Sequence, residues 1–147
     1  MHGMRNSLTV LVLLALGALL PLGGRSAPLP LPDREWQMLR EVASEYALST
    51  DETWLLAAIR IHENGRPGLE FGVGGPMNSG HKAHRYRDGI RSFRIQCAWA
   101  AGTIKKRYTG DIFAFGRRYN PINAVTWSKS VVSIILRLKN QYNGVLP

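Results

Sequence analysis

Residues 49–65 read STDETWLLAAIRIHENG, and the fold class turns on them. Ser49 and Glu52 have the spacing of a capping box, in which each side chain serves the other residue's backbone N–H. Trp54, Leu55, Ala58, Ile59 and Ile61 then carry a helix as far as Glu63. Asn64 and Gly65 stop it, glycine being the residue that takes the left-handed conformation past a helix end. Upstream, Asp33 stands where a cap is needed for a first helix, with Trp36, Leu39, Val42, Ala43 and Tyr46 at helical spacing. Downstream, residues 64–88 turn to Gly, Pro, Asn, Ser and His without sustained periodicity, and a loop of that length in a small domain usually carries function. A third helix is expected over residues 93–107, with Phe93, Cys97, Ala100 or Ala101, and Ile104 on one face. Asp111 is placed to cap a short fourth helix through residues 115–119. Asn123 is placed to cap a fifth, whose Trp127, Val131, Ile134, Ile135 and Leu138 form an apolar stripe. No segment alternates as a strand does, so the expected class is all-α or nearly so.

The chain has 147 residues, 45% of them hydrophobic, which fits one modest domain and excludes a disordered chain. Its single cysteine, Cys97, excludes an intramolecular disulfide framework and a zinc site built from several cysteines. Residues 1–27 read as a secretory signal: Arg5 supplies the charge, residues 8–20 are almost wholly apolar, and Gly23, Gly24, Ser26 and Ala27 are small. The apolar run falls short of the roughly 20 residues of a membrane span, so an uncleaved anchor is the lesser alternative. A Pro-rich linker is expected over residues 28–32 and the working domain over 33–147. Export, to the periplasm or beyond the cell, removes Arg5 and Arg25. The net charge of +9 less those two cations leaves +7 on the mature domain. An exported basic domain points to cell walls, anionic lipids or secreted polymers ahead of nucleic acid.

Glu63 is the carboxylate to single out, because it ends an apolar helix just before the long loop. The partial negative charge of a helix C-terminus and partial burial both disfavour the ionised form, as a general acid requires. A metal reading of His62, Glu63, His81 and His84 fails on spacing, since a zinc-protease helix needs a second His where Arg66 stands. No metal or other cofactor is therefore expected. The run from Gly75 to Lys82 is not a phosphate loop, for Lys82 comes one residue late and a helix precedes where a strand should. Basic residues from Arg85 to Arg118, among them Lys105, Lys106 and Arg107, are interleaved with Tyr86, Phe93, Tyr108 and Tyr119. Such a pattern can bind nucleic acid or stack on sugars, or can be a solvated face over core aromatics. Cys97 reads as a small buried hydrophobe.

Taken in order, LLAAIRIHENG at 55–65, IKKRYTGD at 104–111 and FAFGRRYNP at 113–121 resemble the catalytic domain of soluble lytic transglycosylases, in the lysozyme-like superfamily. The resemblance runs over most of residues 51–139. Two segments depart from it: Gly75-Pro76-Met77-Asn78 lies closer to Glu63 than the family's Gly-Leu-Met-Gln, and Pro121-Ile122-Asn123 replaces small residues after the Tyr-Asn pair. The segment after Glu63, Gly68 to Val73, is similar to that of a divergent group of lysozyme-like proteins. The resemblance implies a small lysozyme-like helical domain with a long active-site loop after the catalytic helix. It implies Glu63 as acid and then base, cleaving peptidoglycan between N-acetylmuramic acid and N-acetylglucosamine without a cofactor. Tyr119 would position or hydrogen-bond Glu63, with Asn120, Phe71, Met77 and Asn78 supporting it or binding substrate. Glu70 is the nearest candidate for the second carboxylate that a hydrolase would use, with Asp88 and Asp111 behind it. The alternatives are such a lysozyme-type hydrolase, or a catalytically silent module that binds glycan or an anionic polymer. The expected partner is the glycan strand, with peripheral contact to an anionic envelope surface, no nucleic acid, and a monomeric state.

Overall fold

The computed structural model describes residue 29, residues 31–73 and residues 89–147. The expected signal segment and the loop residues Met77, Asn78, His81, His84 and Asp88 lie outside that set. The described residues form an all-α domain of five helices: α1 (Asp33–Glu45), α2 (Thr50–Glu63), α3 (Ile90–Arg107), α4 (Ile112–Tyr119) and α5 (Ala124–Gln141). None of them is long and apolar enough to cross a membrane.

Helix α2 is the axis of the fold. Thr53 to Ile59 are all buried, and a helix apolar on every side has to be surrounded. It is surrounded by α1, α3 and α5, while α4 packs on α5 and α1 on α3. Leu55 and Leu56 are fully enclosed, and truncating either to alanine would cost about 3 kcal/mol. At the flank of α2, Trp36, Trp54 and Tyr142 meet ring against ring, Trp36 and Trp54 edge to face at 6.0 Å. The capping box is formed as expected, with Ser49 N–H donating to Glu52 Oε2 at 2.7 Å and Glu52 N–H to Ser49 Oγ at 3.2 Å. One end of α2 is therefore fixed by its own sequence. The other end carries Glu63.

The stop of α2 differs from the expectation. Asn64 itself takes the left-handed conformation, with φ of 42°, which asparagine tolerates better than most residues. Gly65 is required for a different reason: a Cβ there would lie 1.7 Å from the Leu69 carbonyl oxygen, so only glycine lets the loop fold back this closely.

Two other caps also differ. Pro32, not Asp33, is the N-cap of α1, and its carbonyl accepts from the Glu35 and Trp36 N–H groups at 2.9 and 3.0 Å. Asp33 and Glu35 lie in the first turn, where their charge complements the helix dipole. Asn123 starts α5 without a side-chain capping bond; its own N–H is held by Asn120 Oδ1 at 3.3 Å. The cap at Asp111 is as expected, with Oδ1 accepting from the Phe113 and Ala114 N–H groups. Helix α3 begins three residues earlier than its apolar face suggested, at Ile90.

The stretch read as a linker is in part a strap on the core. Leu29 and Leu31 are buried, and the Leu29 N–H donates to Gln141 Oε1 at 2.9 Å. Leucines between prolines have apolar surface to hide, and the core offers a place for it.

Candidate active site

Glu63 is half-buried at the last position of α2. Its Oε1 accepts a hydrogen bond from Trp127 Nε1 on α5 at 3.0 Å. Its other oxygen lies against Gly72, where a Cβ would come within 2.4 Å of Oε2 and 2.8 Å of Cδ. Gly72 also has φ of +72°, a conformation in which an L side chain is strained. The carboxylate is thus clasped between an indole N–H and a bare backbone turn.

Both halves of the clasp are supported. Trp127 is buried among Tyr119 at 5.2 Å, Phe115 at 6.2 Å and the His62 ring at 5.9 Å. His62 is itself tied through Nδ1 to Ser130 Oγ at 2.9 Å. Beneath the turn, the fully buried amide of Gln96 bonds the backbone of residues 68–73. Its Oε1 accepts from the Phe71 and Val73 N–H groups at 3.2 and 3.3 Å, and its Nε2 donates to the Gly68 and Val73 carbonyls. Four bonds exhaust what a primary amide can make, so Gln96 fixes the turn without leaving a buried group unmet.

Tyr119 is brought to the site, where of the two expected roles it takes the indirect one. Its hydroxyl donates to the Phe71 carbonyl at 3.1 Å, not to Glu63, and so holds the turn that Glu63 rests on. Burial first, and the nearby charge of Glu63 second, push this hydroxyl well above the ordinary tyrosine range. It remains a neutral donor. The direct bond to Glu63 comes from Trp127, which sequence reasoning placed only in an apolar stripe. A signal was available: a tryptophan on a buried face still has an N–H to satisfy. Gln96 offered a similar signal, as a polar residue directly before Cys97 on the buried side of α3.

Glu70 is 3% exposed, and its oxygens are engaged by the Gly68 N–H at 3.1 Å and by the Ser92 hydroxyl. It braces the turn, and both of its oxygens are engaged within the described residues, although it also borders a cavity with Arg60 and Phe93. Phe71 is fully buried against Phe93 at 5.5 Å, so it supports the site from beneath. Asn120 uses its Oδ1 within the turn that starts α5. Asp111 is a helix cap. Cys97 is fully buried, and burial pushes its thiol up, as fits an inert core residue.

Most other described acids are also committed. Glu35 pairs with Arg60, Glu45 with Arg94 and Asp51 with Lys139, Glu52 closes the capping box, and Glu41 holds Gln37. Glu63 differs from them in being held by an aromatic N–H at the rim of a loop. An indole N–H only donates, so the bond from Trp127 holds the carboxyl group through Oε1 and leaves Oε2 beside the Gly72 turn. No protein-family model matches this chain, and neither a search of curated proteins nor a search of solved structures gives a match.

Proposed function

We propose that this protein is an exported peptidoglycan-cleaving glycosidase of lysozyme-like, lytic transglycosylase type, with Glu63 as its one catalytic carboxylate. The seat of Glu63 carries the reading: a half-buried carboxylate at the end of the central helix, with Oε1 held by Trp127 and Oε2 set over Gly72. The engagement of Glu70 inside the turn supports a single-carboxylate mechanism over a two-carboxylate hydrolysis. The ordered resemblance of residues 51–139 to the transglycosylase domain supplies the substrate, and the apolar segment at residues 1–27 supplies the export.

In the first step Glu63 gives its proton to the glycosidic oxygen between N-acetylmuramic acid and N-acetylglucosamine as the bond from that oxygen to the anomeric carbon breaks. The carboxylate then takes the proton of the muramyl 6-hydroxyl while that oxygen bonds to the anomeric carbon. Glu63 ends protonated as it began, no water is consumed, and the product is an anhydro sugar. A Glu63→Gln variant keeps the acceptor for Trp127 and lacks the proton, so it should stay folded and release no muropeptides from purified murein. Full activity in that variant would sink the proposal. Mass spectrometry separates the two chemistries, because an anhydro product is one water lighter than a hydrolysed end.

A further inference from the structure

The basic residues interleaved with aromatics have no part in the site described above, yet the fold gathers several of them around one cleft. Between the end of α1, the outer face of α3 and the end of α4 lies a cavity of about 440 Å³. Tyr46, Trp99 and Tyr119 line it, together with Lys106, Arg107 and Arg118. The three cations are exposed and form no ion pair with another described residue, unlike Arg60 and Arg94, which are paired to Glu35 and Glu45. No described carboxylate lines the cavity. Cations in the last turn of a helix complement its dipole. That accounts for each of them singly but not for three from two helices converging, beside aromatic rings, on one cleft that no described carboxylate lines. The cleft is also joined to the candidate active site. Tyr119 lines it, packs on Trp99 at 5.9 Å, and bonds the turn under Glu63.

We propose that this cleft binds a carboxylate-bearing peptide, namely the acidic peptide branch of the same polymer whose glycan strand lies at Glu63. This inference rests on the function proposed above. Tyr46 and Trp99 give the peptide apolar and ring-face contact, while Lys106, Arg107 and Arg118 receive its carboxylates. A ligand with isolated negative charges and a small hydrogen-bonding backbone suits the cleft better than a nucleic acid, which would need a continuous basic track along its phosphates. The consequence is a preference for glycan strands that keep their peptides.

The test uses the full mature protein and a triple variant, Lys106→Gln with Arg107→Gln and Arg118→Gln, checked for an unchanged melting curve. Calorimetry with an amidase-released wall peptide should show binding to the wild type. The affinity should fall about ten-fold in the variant, as three exposed charge contacts of modest strength would give. Capping the peptide's carboxylates as amides should weaken binding to the wild type to the same degree. In turnover, the wild type should have a lower KM for peptide-bearing than for peptide-stripped strands, and the variant should treat the two alike. Equal peptide affinity in wild type and variant overturns the inference, as does undiminished binding of the amidated peptide. So does an oligonucleotide that displaces the peptide from the cleft. If the wild type cleaves neither polymer, the proposed function fails while the calorimetry still decides the cleft.

Discussion

Replacing Gly72 with alanine tests the seat of Glu63 directly. The new Cβ would lie 2.4 Å from Oε2, whereas real Cβ contacts essentially never fall below 3.0 Å, so the carboxylate must move by at least about 0.6 Å. It cannot move freely, because Oε1 is bonded to Trp127. Yielding leaves the buried Trp127 N–H partly or wholly without its acceptor, which costs about 1 to 3 kcal/mol. Alanine at a φ of +72° adds about 1 kcal/mol whatever its neighbours. Urea denaturation should therefore find Gly72→Ala less stable by about 2 to 4 kcal/mol. In a Glu63→Ala background the clash is gone and only the backbone cost of about 1 kcal/mol should remain. The single variant should also lose about a hundred-fold in turnover, since a displacement of this order misplaces the reacting oxygen. If Gly72→Ala costs the same in both backgrounds to within about 0.5 kcal/mol, the contact between Gly72 and Glu63 does not exist as described.

Other outcomes follow from the same set of contacts. Gln96→Leu strands four buried backbone groups and should cost at least about 3 kcal/mol by thermal or urea denaturation; a loss below 1 kcal/mol would mean that the turn is held otherwise. Glu70→Gln should lower stability by about 1 to 2 kcal/mol and leave turnover on murein within a few-fold, and a loss of about a thousand-fold would restore Glu70 to the chemistry. Tyr119 predicts a pH dependence. Its hydroxyl is raised in the folded state, so above the unfolded value of about 10 the unfolded chain loses a proton that the native chain keeps. Stability present below pH 10 should then fall by about 1.4 kcal/mol per pH unit toward the higher native value, and Tyr119→Phe should flatten that decline in alkaline urea titrations.

Much of the helical plan was legible because its signals are local. The capping box at Ser49 and Glu52, the cap at Asp111 and the apolar stripes of α3 and α5 depend on residues within a few positions of one another. The errors at Pro32 and Asn64 are errors of one position. Each arises where two adjacent residues could serve and a backbone torsion chose between them. The docking of Leu29 and Leu31 was hidden for another reason: a proline-rich stretch has linker composition whether or not a core lies alongside to receive its leucines.

The sequence by itself determined an all-α chain with Glu63 at the end of its most apolar helix, since periodicity and caps are properties of neighbouring residues. Only the tertiary structure decided what Glu63 touches. Trp127 is 64 positions away from it, and Tyr119 reaches Phe71 across 48. The same packing made Glu70 a brace, because burial sets the work of a carboxylate and burial is a property of the whole fold. It also brought Tyr46, Trp99, Tyr119 and three cations from separate segments around one cleft, where the sequence offered only a scatter of charge.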